Sequence, residues 1–229
     1  MGKIYRGLIK VKIDVFFQKG FYINLDRRPD RKEQFEKEME EAGLKGFFER
    51  VPGIDSISEP DVLKRHNYCG QTFHELFKKI DQEGLERVVI FEDDASFYNK
   101  GQIPGLNLVE SGLDQLLTFS DWDIVYFGGY VFDNPAIKVS ENLLKVKTIL
   151  TCHAIGINKN GLKKILKYRP FVDCPIDGWL GEQHNIIKYL VYPLAVLQRN
   201  SKSDLDANNW SPETHHWENS YSRINIKNV

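Results

Sequence analysis

Cysteine is scarce in this chain, three residues in 229, and methionine is scarcer, at two. Cys69, Cys152 and Cys174 lie far apart and show no metal-ligand spacing, and an odd, sparse set does not build a disulfide framework. It fits a reducing compartment or simple core packing. Long apolar runs are missing too. The opening stretch MGKIYRGLIKVKIDVFF is broken by Lys and Asp, so it reads neither as a signal peptide nor as a membrane span. A cytoplasmic location is the expectation. Gly2 opens like a myristoylation start, but Arg6 stands where the motif needs Ser or Thr. Neither charge sign is in excess: Lys plus Arg number 31 against 32 for Asp plus Glu, a net charge of -1. That balance argues against nucleic acid or an anionic membrane as the main partner. There is no internal repeat and no low-complexity stretch.

What is present suits one folded domain. A hydrophobic content of 41% is enough for a core, and the whole chain, 1–229, is read as a single domain. Residues 1–20 are expected to add an extension strand, through the alternation of Ile9 to Phe17, and 205–229 to form a tail or flap. Phe21 to Leu25 reads as a buried strand. A helix follows from Pro29 to a stop at Gly43, with Phe35, Met39 and Ala42 inward. Phe47 to Val51 suggests a further strand. Thr72 and Glu75 have the spacing of a capping box for a helix that Gly84 closes. Arg87 to Phe91 reads as a central parallel strand, Leu113 to Phe119 as a helix, and Asp123 to Phe127 as another strand. Strands are expected at Leu143–Leu150 and His153–Ile157, helices at Gly161–Tyr168 and Trp179–Tyr189. Strands alternating with helices predict an α/β sandwich on a mostly parallel sheet, with helices on both faces.

Glu92-Asp93-Asp94 follows directly on the central strand Arg87 to Phe91, read as buried on both faces. In open α/β sheets ligands bind beyond the carboxyl ends of strands. Glu92 and Asp94 alternate to the same side of an extended chain, where two carboxylates repel unless a cation or a proton sits between them. Mg²⁺ or Mn²⁺ takes such oxygens and bridges them to phosphate, and a nucleotide sugar carries the diphosphate. A solvated acidic turn is the plainer reading of a triplet taken alone.

The ordered motifs carry more than the triplet. Phe21-Tyr22-Ile23-Asn24-Leu25-Asp26-Arg27-Arg28-Pro29-Asp30-Arg31, Phe48-Glu49-Arg50-Val51 and Val89-Ile90-Phe91-Glu92-Asp93-Asp94-Ala95 resemble glycosyltransferase family 25. Trp122 to Gly128, His153 to Ile157 with Gly161 and Leu166, Pro175-Ile176-Asp177, and Gln198 with Ser203-Asp204 continue the resemblance in order to about residue 205. It implies a GT-A fold of Rossmann-like kind, a UDP-sugar donor (UDP-galactose or UDP-glucose), Mn²⁺ or a similar ion, inversion at the anomeric carbon, and a glycan or hydroxylated-protein acceptor. One departure stands out: the family usually shows Ser-His where this chain has Thr72-Phe73. A catalytically silent sugar- or nucleotide-binding relative is therefore the alternative. A nucleotidyltransferase would need a Gly-rich phosphate loop near the first strand, which is missing.

Roles follow for single residues. Asp94 and Glu92 are the expected metal ligands. Asn24, Asp26, Arg27, Arg28, Asp55, Glu92, Asp93, Gly128, Gly129 and His153 are the expected donor contacts. Arg27 and Arg28 suit phosphate because guanidinium makes bidentate bonds to it; otherwise this is a solvated helix start with Arg31 paired to a Glu. Asp55 reads equally as a turn residue after Gly53, and His153 equally as a satisfied core histidine. Gly128 and Gly129 would admit backbone close to a sugar. Asp177, between Pro175 and Gly178, is the expected general base, with Asp173 as a weaker candidate and helix capping as the plain alternative. His215-His216 would complete the metal site only if the tail folds back, and Trp179 and Trp210 would stack on a sugar only if they are not core.

Overall fold

The computed structural model describes residues 11–98, 104–131, 135–168, 174–199, 204–205 and 224–228. The first half runs α1 (Ile13–Phe16), β1 (Lys19–Asn24), α2 (Pro29–Glu41), β2 (Phe48–Pro52), α3 (Val62–Gln82) and β3 (Arg87–Glu92). Then come β4 (Ala95–Phe97), α4 (Gly105–Leu116), β5 (Ile124–Tyr126), β6 (Tyr130–Val131), β7 (Ala136–Lys138), β8 (Leu143–Val146), β9 (Ile149–Leu150) and β10 (Ala154–Asn158). The chain continues with α5 (Lys159–Leu166), α6 (Ile176–Glu182), β11 (Lys188–Val191), β12 (Val196–Gln198) and β13 (Ile226–Asn228).

Nine of these strands form one sheet in the order β13-β7-β8-β11-β5-β10-β3-β1-β2. Its pairings are parallel for β1 with β2 and β3, β5 with β11, and β7 with β13. β10 runs antiparallel between β3 and β5, and β8 antiparallel between β11 and β7. All strands except β8 and β10 therefore point the same way, and the sheet is mostly parallel, as expected.

Side-chain alternation along these strands builds two cores. Phe21, Ile90, Tyr126 and Ile155 face one side, where Phe73 and Phe77 of α3 and Leu162 of α5 pack. Tyr22, Val89, Phe91 and Val125 face the other, against Phe35 of α2 and Val109 and Leu113 of α4. Central strands buried on both faces need helices on both, and the α/β sandwich is borne out. No described helix is long and apolar enough to cross a membrane.

Besides the split of Leu143–Leu150 into β8 in the main sheet and β9 paired with β6, four elements depart from the sequence reading. Within Ile9 to Phe17 the described part is the helical turn α1: Ile13, Phe16 and Phe17 are buried at helical spacing while Val15 is 70% exposed. The helix expected to start at Thr72 begins at Val62, where the Asp61 carboxylate accepts from Leu63 N at 2.9 Å. Thr72 sits mid-helix, donating to Tyr68 O at 3.1 Å and accepting from Ile54 N at 3.0 Å. A Thr followed by Glu at the third place arises inside amphipathic helices too, and the i−4 carbonyl takes the hydroxyl. The helix expected at Leu113 to Phe119 starts earlier, at Gly105, because Leu108 and Val109 extend its buried face.

The fourth departure matters most for stability. The helix expected at Trp179 to Tyr189 is α6, which ends at Glu182, followed by the fully buried strand β11. Lys188 disguised that strand. Its ammonium is buried and donates to the carbonyls of Lys147 (2.9 Å), Gly181 (3.1 Å) and Gln183 (3.0 Å), closing the C-terminal end of α6. Burial pulls its pKa down to about 8. Lys188→Met keeps the stem but strands these carbonyls. We expect a loss of about 3 kcal/mol in urea unfolding, since an unsatisfied buried acceptor costs ~1–3 kcal/mol; a loss below ~1 kcal/mol would show that water replaces the ammonium.

Candidate active site at the strand ends

Parallel pairing puts the carboxyl ends of β1 and β3 side by side, with Ile23 opposite Glu92. The acidic turn is then tied down by backbone: Asp93 N donates to Ile23 O at 3.0 Å, and Glu92 N to His153 O at 2.8 Å. A cavity of about 430 Å³ opens there. Asn24, Arg31, all three acids of the triplet, and Asp177 line it, with Cys69, Phe73 and Cys152 on its less polar walls.

The three acids are not equivalent. Asp93 is held through both oxygens, accepting from Asn24 Nδ2 at 2.7 Å and from Arg31 Nη1 at 3.0 Å. Asn24 spends its remaining groups on Arg28 O (3.0 Å) and Arg50 Nε (2.8 Å). These two expected donor contacts line the cavity but hold each other. Asp94 accepts from Arg31 Nη1 at 3.2 Å through Oδ2, while its Oδ1 is buried with no hydrogen-bond partner among the described residues. Glu92 takes only a long bond, 3.4 Å, from Gln198 Nε2. Desolvation raises both pKa values, that of Glu92 further through the negative charge of Asp94, while Arg31 and the Gln198 amide oppose the shift at Asp94. Burying two carboxylates with so few donors is unfavourable unless a cation or proton joins them.

That donor set fits a hard divalent ion. Asp94 and Glu92 offer unfilled carboxylate oxygens, and Mg²⁺-type sites commonly use one or two carboxylates and take the rest from water and phosphate. Among the described residues no three metal-ligating side chains converge, so such an ion would depend on those outside ligands.

Arg31, paired with a Glu only in the plainer reading of this helix start, is the buried cation of the site, bonded to Asp93 and Asp94. It lies four residues before Phe35, hence on the same helical face. Phe35 stacks on Tyr22 at 4.5 Å and meets Phe48 and Phe91 edge-on, which seats α2 over the strand ends. A charged residue at core spacing was the available signal. Arg199 gave none. Its backbone N donates to Asp94 O at 2.7 Å and its Nη1 to Asp93 O at 3.0 Å. Glu38 holds Arg199 Nη2 and also accepts from Ser96 Oγ (3.0 Å) and Phe97 N (2.6 Å).

The other expected residues fall outside the cavity wall. Arg27 and Arg28 stand at the rim, both donating to Asp204, at 2.6 Å and 2.5 Å. Asp55 pairs with Arg27 and accepts from Ile57 N, the behaviour of a turn residue. Asp26 is largely exposed and pairs with Arg50. Gly128 and Gly129 have a packing reason to be glycine: a Cβ on Gly128 would stand 1.9 Å from Val196 O, and one on Gly129 2.8 Å from Ile149. Trp179, half-buried against the core, packs edge-on on the exposed ring of Tyr168. Asp173, Ser203, Trp210, His215 and His216 lie outside the described residues.

His153 is a core histidine. It is fully buried, with Nε2 3.1 Å from Val196 O and Nδ1 3.0 Å from Thr151 Oγ1. A carbonyl only accepts, so Nε2 carries the proton and Nδ1 takes the Thr151 hydroxyl. Burial lowers its pKa to about 4 from 6.5. A folded state that binds the proton less well than the unfolded chain has its full stability above pH ~6.5 and loses it as pH falls toward ~4. The loss is about 3 kcal/mol. Urea unfolding at pH 7 and 4.5 should show it, with a flatter acid slope in His153→Gln; equal slopes would refute the neutral-imidazole assignment.

Asp177 does line the cavity. It stands in the first turn of α6, where Oδ1 accepts from Gly178 N at 2.8 Å and Oδ2 from Thr151 N at 3.0 Å. Each oxygen retains a lone pair.

No family model matches the chain. Among curated proteins it is 24% identical over 186 residues to a "Glycosyltransferase 25 family member" of Drosophila melanogaster, covering 70% of this chain and 29% of the relative. A protein of the same description from Aedes aegypti is 25% identical over 191 residues, covering 72% and 30%. The resemblance drawn from the motifs is thereby borne out, and the chain spans under a third of the length of these relatives. Similar solved structures include A197 from STIV, with TM-score 0.48 and 11% identity, covering 80% of this chain and 86% of that one. UDP-glucose pyrophosphorylase complexed with UDP-glucose follows, with TM-score 0.47 and 8% identity, covering 89% and 81%.

Proposed function

From its likeness to glycosyltransferase family 25 members, we propose that the chain moves a hexose, galactose or glucose, from a UDP-sugar to an acceptor hydroxyl, with inversion. The observation that carries this reading is the buried Asp94 Oδ1, without a hydrogen bond among the described residues, beside the loosely held Glu92, at the end of β3 and facing a cavity. Asp94 and Glu92 would hold Mn²⁺ or Mg²⁺, which supplies positive charge against the diphosphate as it leaves. Asp93, clamped by Asn24 and Arg31, keeps the turn in place rather than meeting the donor. Arg27 and Arg28, held by Asp204 at the rim, would supply guanidiniums for phosphate oxygens.

Asp177 takes the proton of the acceptor hydroxyl as its oxygen bonds to the anomeric carbon. The bond from that carbon to the diphosphate oxygen breaks, and UDP carries away the electron pair. A glycan or a hydroxylated protein is the acceptor class in this reading. The test is incubation with Mn²⁺ and a panel of UDP-sugars. Metal-dependent UDP release, slow with water as acceptor, supports it. UDP binding by calorimetry with no release for any donor or acceptor would replace it with a silent relative, for which Phe73 on the cavity wall is the motivating feature. Pyrophosphate release from a nucleoside triphosphate would replace it with a nucleotidyltransferase.

A further inference from the structure

Thr151 is the one non-glycine residue with positive φ, +75°, among the described residues. A β-branched side chain resists that conformation, at a cost of ~1–3 kcal/mol, so its surroundings must enforce it. They do so from both sides. The hydroxyl is held by His153 Nδ1 at 3.0 Å, and His153 is itself fixed by Val196 O at 3.1 Å. The imidazole fits there because residue 128 is glycine: a Cβ at that position would come within 2.7 Å of Nε2. On the other side, the Thr151 N–H donates to Asp177 Oδ2 at 3.0 Å. Thr151 and Asp177 both line the cavity.

We propose that Thr151 is a positioning residue for Asp177, its strained turn aiming the N–H at one carboxylate oxygen so that the carboxylate faces the acceptor hydroxyl. With Gly178 N on the other oxygen, rotation of the carboxylate plane is blocked. Strain kept next to reactive groups is a known means of holding them ready. The inference rests on Asp177 being the base.

The experiment compares Thr151→Val, which loses the hydroxyl but keeps the shape, with Thr151→Ser and Asp177→Asn. The readouts are kcat and donor KM with UDP-galactose or UDP-glucose and Mn²⁺, and UDP affinity by calorimetry. Thr151→Val is expected to lower kcat about tenfold to a hundredfold, the scale of a misplaced reacting group. Donor KM and UDP affinity should stay within about twofold, and Thr151→Ser should recover most of kcat. Loss of kcat in Asp177→Asn with wild-type kcat in Thr151→Val overturns the positioning role alone. Wild-type kcat in Asp177→Asn overturns the base assignment itself. A parallel fall of kcat and UDP affinity in Thr151→Val also overturns the proposal, as general damage. If Thr151→Val melts early, Thr151→Ala, less strained and equally without the hydroxyl, is read by the same criteria.

Discussion

Asp94→Ala is expected to reduce metal-dependent UDP release by about a thousandfold, the loss typical when a charge-stabilising contact to a leaving group is removed. The reason lies in the split duties of the carboxylate. Oδ2 meets Arg31, which Asp93 also holds, so the guanidinium keeps a partner in the variant. Oδ1 takes no hydrogen bond among the described residues. The fold should therefore survive, and burial makes the charged form of Asp94 unfavourable in any case. Mn²⁺ should raise the melting temperature of the wild type and leave that of Asp94→Ala unchanged. Turnover equal to wild type would remove Asp94 from the mechanism. Asp93→Asn makes the contrast: it weakens the clamp on Arg31, so stability should fall along with turnover.

Asp177→Asn is expected to lower kcat by about 10²- to 10⁴-fold, the range for loss of a general base, with donor KM nearly unchanged. The amide oxygen still accepts one backbone N–H, so α6 keeps most of its local order. A pure helix cap would behave otherwise, losing about 1 kcal/mol of stability and no kcat. Steady-state kinetics alongside thermal melting separates the two. Retained kcat with lowered melting temperature would return Asp177 to the capping role.

The parts that could be read in advance were those governed by local rules. β3 and the acidic turn after it were legible because an unbroken apolar run marks a strand buried on both faces, and three carboxylates directly after it mark where that strand leaves the core. Pro29 and Gly43 bounded α2 through backbone preferences that act within a few residues; Gly43 adopts φ +75°. β11 was lost because Lys188 broke the apolar run, and the carbonyls that accept its ammonium, at the end of α6 and at Lys147, meet it only in the folded chain. Thr72 imitated a cap because the cap's spacing also occurs within a helix.

By itself, then, the order of residues determined the α/β alternation, the two-faced burial of the central strands and the place where acidity gathers. Hydrophobic period and backbone preference are local, and they survive in one dimension. Which acid is left unsatisfied was decided only in three dimensions. Arg31 reaches the carboxylates of Asp93 and Asp94 from α2, across more than sixty residues, while Arg199, from the end of β12, bonds only their backbone carbonyls. The same holds for His153, Gly128 and Gly129, whose neighbours across the fold make them packing residues. Whether a polar group is spent or available depends on partners that only folding brings near it.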